Sequence, residues 1–368
     1  MNLGAGIPAL DGIRGLAVLA VIVSHFPVIL GYQPTTPWAR VNRLLSGGFL
    51  GVDVFFVLSG FLITSLLLKE HANSDRIDLK HFFARRALRL LPALYVLLIV
   101  DFVIAVLYDT SLEGQWNITW ATVLHLNNWY FALPSLRHGP SDFQPNIGHL
   151  WSLSIEEQFY LVWPVVMLVF MRTRKLSNYL PAFLAAVITL VVLRRINLWN
   201  DDVPYLVVLI RTDARLDSLI VGALLALMFR YLEVDGRILR FAGYCAIPLF
   251  TFLAYQGPDS AMIQTFGFTV VALAAMSMVY ASAEKAWALN RFLEAKWLTF
   301  TGKISYGLYL WHYVVFVVFY KSFAFESRLV ALTVGLLATW AVALLSWFFV
   351  EKPFLRLKDR KYGHAAQS

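Results

Sequence analysis

Apolar residues recur along the chain in blocks of about 20, the length that crosses a hydrocarbon core of about 30 Å as a helix. Strands of a membrane barrel would be shorter and would alternate apolar with polar positions. Ten blocks are read: Ile13 to Leu30, Phe49 to Leu68, Leu90 to Tyr108, Ser152 to Met171, Asn178 to Ile196, Asp213 to Phe229, Ile238 to Tyr255, Met262 to Ala281, Lys303 to Tyr320 and Leu329 to Val350. The pattern predicts an all-α, polytopic membrane helical bundle of about ten transmembrane helices. Trp116 to Leu133 fits no block: it is amphipathic and aromatic, and a full crossing there would invert everything downstream. It is expected in the outer interface or as a re-entrant piece. Arg137 to Gly148, with Pro140 and Pro145, reads as an external loop. Residues 1–368 are expected to form one integral membrane domain with no appended soluble domain.

Composition agrees with membrane burial: 59% of the 368 residues are hydrophobic and 15% charged, and mean hydropathy is +0.64. These values exclude water as the main solvent. A net charge of +8 in a soluble protein would suggest nucleic acid, but here the cations sit between apolar blocks, where membrane orientation explains them. No nucleic-acid partner is implied. An even number of spans puts both termini on one side, and cytoplasmic termini place most Lys and Arg inside. Lys69, Arg76, Lys80, Arg85, Arg86 and Arg89 are inner residues on this scheme, whereas Arg194, Arg195, Arg211 and Arg215 are among the exceptions. The lone Cys245 allows no intramolecular disulfide. The apolar stretch after Arg14 lacks a cleavage site and is read as a retained first helix.

Ionisable groups inside spans cost several kcal/mol unless paired or hydrated, which makes each a candidate for function. Arg14 and His25 are 11 residues apart. On a helix that returns to within about 20° of the same face and separates them by about 16 Å. The spacing suits a donor whose phosphates rest near Arg14 while an extended pantetheine-like arm carries its thioester to His25. Histidine is the natural general base for a hydroxyl at neutral pH. A structural reading stays open, with His25 a satisfied core residue and Arg14 an anchor. Asp53, early in the second block, is placed to orient or charge-stabilise the imidazole, or else to satisfy a helix start.

Arg85 and Arg86 precede Arg89 by four and three residues, so the three can cluster around phosphate or simply anchor the helix. Glu156 and Glu157 point about 100° apart, so at most one faces the bundle centre. Glu157 joins the catalytic candidates. Ser305, Tyr309 and His312 form a polar stripe, with His312 a rival base; His149, Tyr309 and His312 make a further candidate site. Arg215 and Asp217 read as a local ion pair, and Glu351, Lys352 and Pro353 as a helix stop. No metal cluster, phosphate-binding glycine loop or nucleophile elbow is recognisable, so direct transfer is simpler than a covalent serine route.

Taken together, these pieces resemble the acyltransferase 3 family of integral membrane O-acyltransferases. They are Leu10 to Ala17 through His25, Gly47 to Phe61, Arg85 to Arg89, His149 to Tyr160, Ile304 to His312, and Glu351 to Phe354. The resemblance implies transfer of an acyl group, usually acetyl from acetyl-CoA, to a sugar hydroxyl of a surface polysaccharide, lipid-linked glycan or glycosylated small molecule. It implies that Arg14 and His25 are essential and that Arg85, Arg86 and Arg89 handle the donor. Acyl-CoA is then a co-substrate with no permanently bound cofactor or metal, and the partners are a carbohydrate or glycolipid acceptor and the bilayer of a bacterial inner or plasma membrane. Some relatives carry a soluble hydrolase-like domain; no relay through one is expected here. A transporter or flippase for a glycan or anion is the competing class, because buried His, Asp and Glu also build proton relays.

Overall fold

The computed structural model describes residues 7–26, 39–108, 110–133, 135, 146–231, 235–285, 287–322 and 327–362. Among them the regular structure is entirely helical. Helices of ten residues or more are α1 (Pro8–Ser24), α2 (Gly51–Ser74), α3 (Leu79–Leu107), α4 (Leu112–Val123), α5 (Trp151–Met171) and α6 (Leu180–Asn200). They continue with α7 (Thr212–Tyr231), α8 (Gly236–Gln256), α9 (Phe268–Ala283), α10 (Ser305–Ser322), α11 (Arg328–Ser346) and α12 (Lys352–Tyr362).

Among the described residues six helical segments are long and apolar enough to cross a membrane: Arg43–Ser74, Leu79–Leu107, Gly148–Met171, Arg174–Asn200, Ile263–Ala283 and Leu329–Tyr362. Each of the ten expected blocks contains a helix, but not every one meets that standard. Helix α7 shows why: it carries Asp213, Arg215, Asp217 and Arg230, charges that a purely apolar span would not hold. The C-terminal part of the first block and most of the 137–148 loop lie outside the described residues.

Burial sorts the bundle into inner and outer helices. The apolar window around α2 is 72% buried and that around α6 only 17%, so α2 is interior while α6 turns most of its surface outward. Helix α1 is interior too, contacting α2, α9, α10 and the short helices Ala39–Ser46, Asn290–Leu293 and Lys296–Lys303. A helix enclosed in this way can hold Arg14 and His25 without presenting them to lipid.

Helices α2 and α7 pack tightly and meet at reciprocal glycines. A Cβ on Gly60 would collide with the Leu219 carbonyl, and one on Gly222 with the Val57 carbonyl. Backbone contact of this kind needs the smallest residue on both sides. Gly222→Ala is therefore expected to lower stability by about 1–3 kcal/mol by forcing the helices apart. Thermal unfolding of the detergent-solubilised protein measures this, and an unchanged midpoint would refute the tight crossing.

Helix α3 begins well before the expected Leu90. Asp78 caps it, accepting the His81 backbone N–H at 3.0 Å, and that bond holds its carboxyl below the usual carboxylate range. Arg85, Arg86 and Arg89, expected to open the third helix, lie within its first turns. Trp116 to Leu133 becomes two short helices, α4 and Asn127–Ala132, broken at His125, whose φ is +56°. Neither is long enough to cross a bilayer.

The expected stop at Glu351 to Pro353 is corrected. Helix α11 passes through a π turn, Trp347–Glu351, directly into α12. Lys352 N–H bonds back to the Trp347 carbonyl, and this wider turn admits Pro353, whose ring would clash with an ordinary helical carbonyl. The turn aims Glu351 inward: it is 5% exposed, accepts the Ser346 hydroxyl at 3.2 Å, and packs against Gly307 of α10.

Candidate functional site

Two groups of polar side chains meet along α1. The first gathers at its C-terminal end, where His25 caps the helix. His25 Nδ1 lies 2.9 Å from the Val21 carbonyl and 3.3 Å from His312 Nε2. His312 Nδ1 lies 2.8 Å from the Tyr309 carbonyl and 3.1 Å from that of Leu308. A carbonyl only accepts, so both Nδ1 atoms carry the proton when the rings are neutral. The lone pair of His312 Nε2 therefore faces the Nδ1–H of His25, and the lone pair of His25 is on Nε2.

His149 completes the group. Its Nε2–H donates to the Tyr309 and Leu310 carbonyls at 3.1 and 3.2 Å, and its Nδ1 is buried with no hydrogen-bond partner. The ring centroids of His25 and His149 stand 5.0 and 5.1 Å from that of His312, and Tyr313 lies 5.1 Å from both. The expected further site of His149, Tyr309 and His312 is thus contiguous with His25. Tyr309 acts as a strut, donating its hydroxyl to the His149 carbonyl at 2.7 Å and meeting Ser152 Oγ at 2.5 Å. Among the described residues no group of three or more His, Cys, Asp or Glu side chains is arranged to hold a metal ion.

The second group lies around the N-terminal half of α1. Arg14 and Arg86 act electrostatically on Arg89, and Arg14, Lys303 and Arg89 on Asp11. The Nε atoms of Arg14 and Arg86 are buried and make no hydrogen bond. Arg86 stacks over the Tyr160 ring at 3.3 Å and sits 4.0 Å from Glu156 Oε1. Glu156 also accepts the Ser59 and Tyr160 hydroxyls. Arg86 therefore reaches inward to the level of Glu156, whereas Arg89 keeps an exposed surface. Arg85 is separate: it pairs with Glu70 at 3.4 Å at the end of α2. Glu157 has Arg86 and Glu156 as its charged neighbours, which associates it with the basic group.

Two ion pairs are also buried, with partners other than those the sequence suggested. Asp53, expected beside His25, instead accepts Arg215 Nη2 on both oxygens at 2.9 and 3.0 Å and Ser218 Oγ at 2.8 Å. The side chain against His25 is His312. Arg215 is accordingly not paired with Asp217, which takes Arg195 Nη2 at 2.9 Å and the Thr269 hydroxyl at 2.5 Å. All four ion-pair side chains are fully buried. A charge buried this deeply needs a partner on a facing helix more than one two residues away on its own. Arg195 and Arg215, expected as outer-side cations, are interior residues.

Sequence reasoning missed Tyr160, Lys303, Asp11 and Tyr313. Tyr160 stands four residues after Glu156, a helical spacing that does signal contact. Asp11 lies on α1 itself, three residues before Arg14, a spacing that also signals contact, whereas Lys303 and Tyr313 carry no comparable sign because tertiary packing alone brings them to α1.

Residues 7–350 match the model of an acyltransferase domain, acyltransferase 3. The chain is 31% identical over 374 residues to the O-acetyltransferase OatA of Staphylococcus aureus (strain NCTC 8325 / PS 47), covering 98% of this chain and 58% of that protein. It is 31% identical over 376 residues to the peptidoglycan O-acetyltransferase OatA of Listeria monocytogenes serovar 1/2a, covering 97% of this chain and 58% of that protein. The chain thus spans about 58% of the length of these curated relatives. No solved structure matches it.

Proposed function

The chain belongs to the acyltransferase 3 family, and from that premise we propose that it is a membrane-bound O-acyltransferase moving an acetyl group from acetyl-CoA to a glycan hydroxyl in the cell envelope. The names of the relatives support acetyl as the acyl group and a peptidoglycan sugar as the acceptor. The observation that carries the mechanism is the 2.9 Å contact of His25 Nδ1 with the Val21 carbonyl, which requires the proton on Nδ1 and leaves Nε2 as a lone pair at the end of a buried helix.

The donor enters from the cytoplasm, with Arg14, Arg86 and Arg89 holding its phosphates. Arg85 has a secondary part, drawing the donor in from its place beside Glu70. The pantetheine arm runs along α1 over the about 16 Å that 11 residues rise, and brings the thioester to His25. His25 Nε2 takes the proton of the acceptor hydroxyl, the oxygen attacks the thioester carbonyl, and the C–S bond breaks. The leaving thiolate recovers that proton from Nε2, so ester and free thiol are the products. Glu157 serves the basic group, balancing Arg86 when the donor has left. The bundle has ten spans with both termini cytoplasmic, and its home is the bacterial inner or plasma membrane.

Arg86→Ala is expected to raise the donor KM by about tenfold while leaving kcat within a few-fold, since a charge-assisted hydrogen bond is worth about 1.5–3 kcal/mol. Steady-state kinetics with acetyl-CoA as the varied substrate check this, and an unchanged donor KM removes Arg86 from donor binding. The acceptor is tested by mass analysis of envelope glycans with and without the gene. Loss of one acetyl mass from a defined sugar supports the reading, and identical spectra contradict it.

A further inference from the structure

Among the buried groups, His312 has no part in the mechanism above, and its geometry is the most restrictive. It is fully buried at the midpoint of α10, and both ring nitrogens are engaged. The Nδ1–H is committed to the Tyr309 and Leu308 carbonyls, so the only free lone pair, on Nε2, is aimed at His25 Nδ1 3.3 Å away. An imidazole held this way cannot present a lone pair to a hydroxyl, which removes it as a rival base.

We propose that His312 is a positioning residue for His25: its Nε2 lone pair holds the Nδ1–H of the catalytic imidazole, keeps Nε2 as the basic atom, and steadies the imidazolium that forms when the acceptor proton arrives. The proposal rests on His25 being the base. Its logic is that of the buried carboxylate behind the histidine of a serine hydrolase, with a neutral imidazole in the carboxylate's place. When Nε2 of His25 gains the hydroxyl proton, the ring becomes cationic and its Nδ1–H bonds to Val21 and His312 strengthen. When the thiolate leaves, it takes the Nε2 proton, and the Nδ1 proton has stayed with His25 throughout. No proton or electron is left unassigned.

The groups facing His312 are few. His25 arrives from α1 and His149 from the turn before α5, and these are the titratable rings against it; Tyr309 and Tyr313 flank it on α10. His149 directs its own N–H to the Tyr309 carbonyl, so that carbonyl keeps a donor when His312 is replaced.

Two replacements of similar bulk separate positioning from packing. Gln at 312 can place its amide oxygen near the position of Nε2 and accept the His25 N–H, whereas Leu fills the space with no acceptor. His312→Leu is expected to lower kcat about 100-fold with donor and acceptor KM unchanged within twofold, the size of effect that loss of an oriented base produces. His312→Gln is expected to recover at least tenfold of that loss, with both variants matching the parent in detergent thermal unfolding. Equal kcat for Leu and Gln, or a Leu variant with parental kcat, overturns the positioning role. His25→Ala is assayed alongside: parental turnover there would overturn the base itself, whereas an inactive His25→Ala with a fully active His312→Leu overturns only the part given to His312. If Leu prevents folding, the Gln variant decides alone, since parental KM with kcat reduced about two- to tenfold is required and a raised KM contradicts the proposal.

Discussion

His25→Ala is expected to abolish measurable acyl transfer, lowering kcat by about 10²–10⁴-fold, while the protein reaches the membrane at parental levels. The size follows from the role: without a base the acceptor hydroxyl must attack with its proton in place, and the other unengaged imidazole nitrogen of the group, His149 Nδ1, is buried. His312 has its lone pair turned to His25, and His149 is tied through Nε2 to α10. The stability cost is small by comparison, because His25 caps α1 and is only partly buried, and its contacts are to the Val21 carbonyl of its own helix and to His312. Transfer assays on membranes with matched protein content read the effect. Parental turnover would remove the proposed base.

Asp53→Ala is expected to act on the fold, destabilising it by about 3–5 kcal/mol. The change would leave the Arg215 guanidinium fully buried, with Nε and Nη1 already lacking partners and Nη2 losing both carboxylate oxygens. Asp217 is committed through Oδ2 to Arg195 and Thr269, and its Oδ1 makes no hydrogen bond to Arg215. The Phe268 ring, 3.5 Å from the guanidinium, offers a cation–π contact but no hydrogen bond. Asp53→Leu combined with Arg215→Met removes both charges and is expected to recover much of the loss, because an apolar pair of similar size avoids the cost of desolvation. Thermal unfolding of the three proteins in detergent tests this. A single Asp53→Ala variant as stable as its parent would show that the pair does not carry the α2–α7 contact.

Helical class was legible because it depends on local pattern: each expected block contains a helix, and the aromatic segment that fitted none of them became two short helices. The site was legible where one helix carries both partners. Arg14 and His25 share α1, and the polar stripe on α10 puts Tyr309 and His312 on the face that meets His149. Depth was harder to read. Arg86 looked like a residue of the surface, but α3 starts at Leu79 and a long guanidinium reaches inward to Glu156, which no pattern within α3 reveals.

Pairing across helices was the least legible property. Asp53 could be placed near the level of His25, yet its actual partner lies 162 residues away on α7. Arg215 and Asp217, two residues apart, project about 200° from one another around a helix and so seek partners on different neighbours. Glu351 shows the same limit in the backbone. Lys-Pro after a carboxylate reads as a stop, and only the π turn lets the helix continue while directing that carboxylate inward.

The decisive measurement is release of free CoA thiol by purified protein supplied with acetyl-CoA and a soluble glycan acceptor, read together with ester formation on the acceptor. The account predicts one thiol per ester in the parent and neither product in His25→Ala. Movement of an unmodified glycan across reconstituted vesicles without any thiol release, or thiol release undiminished by the loss of His25, would contradict it.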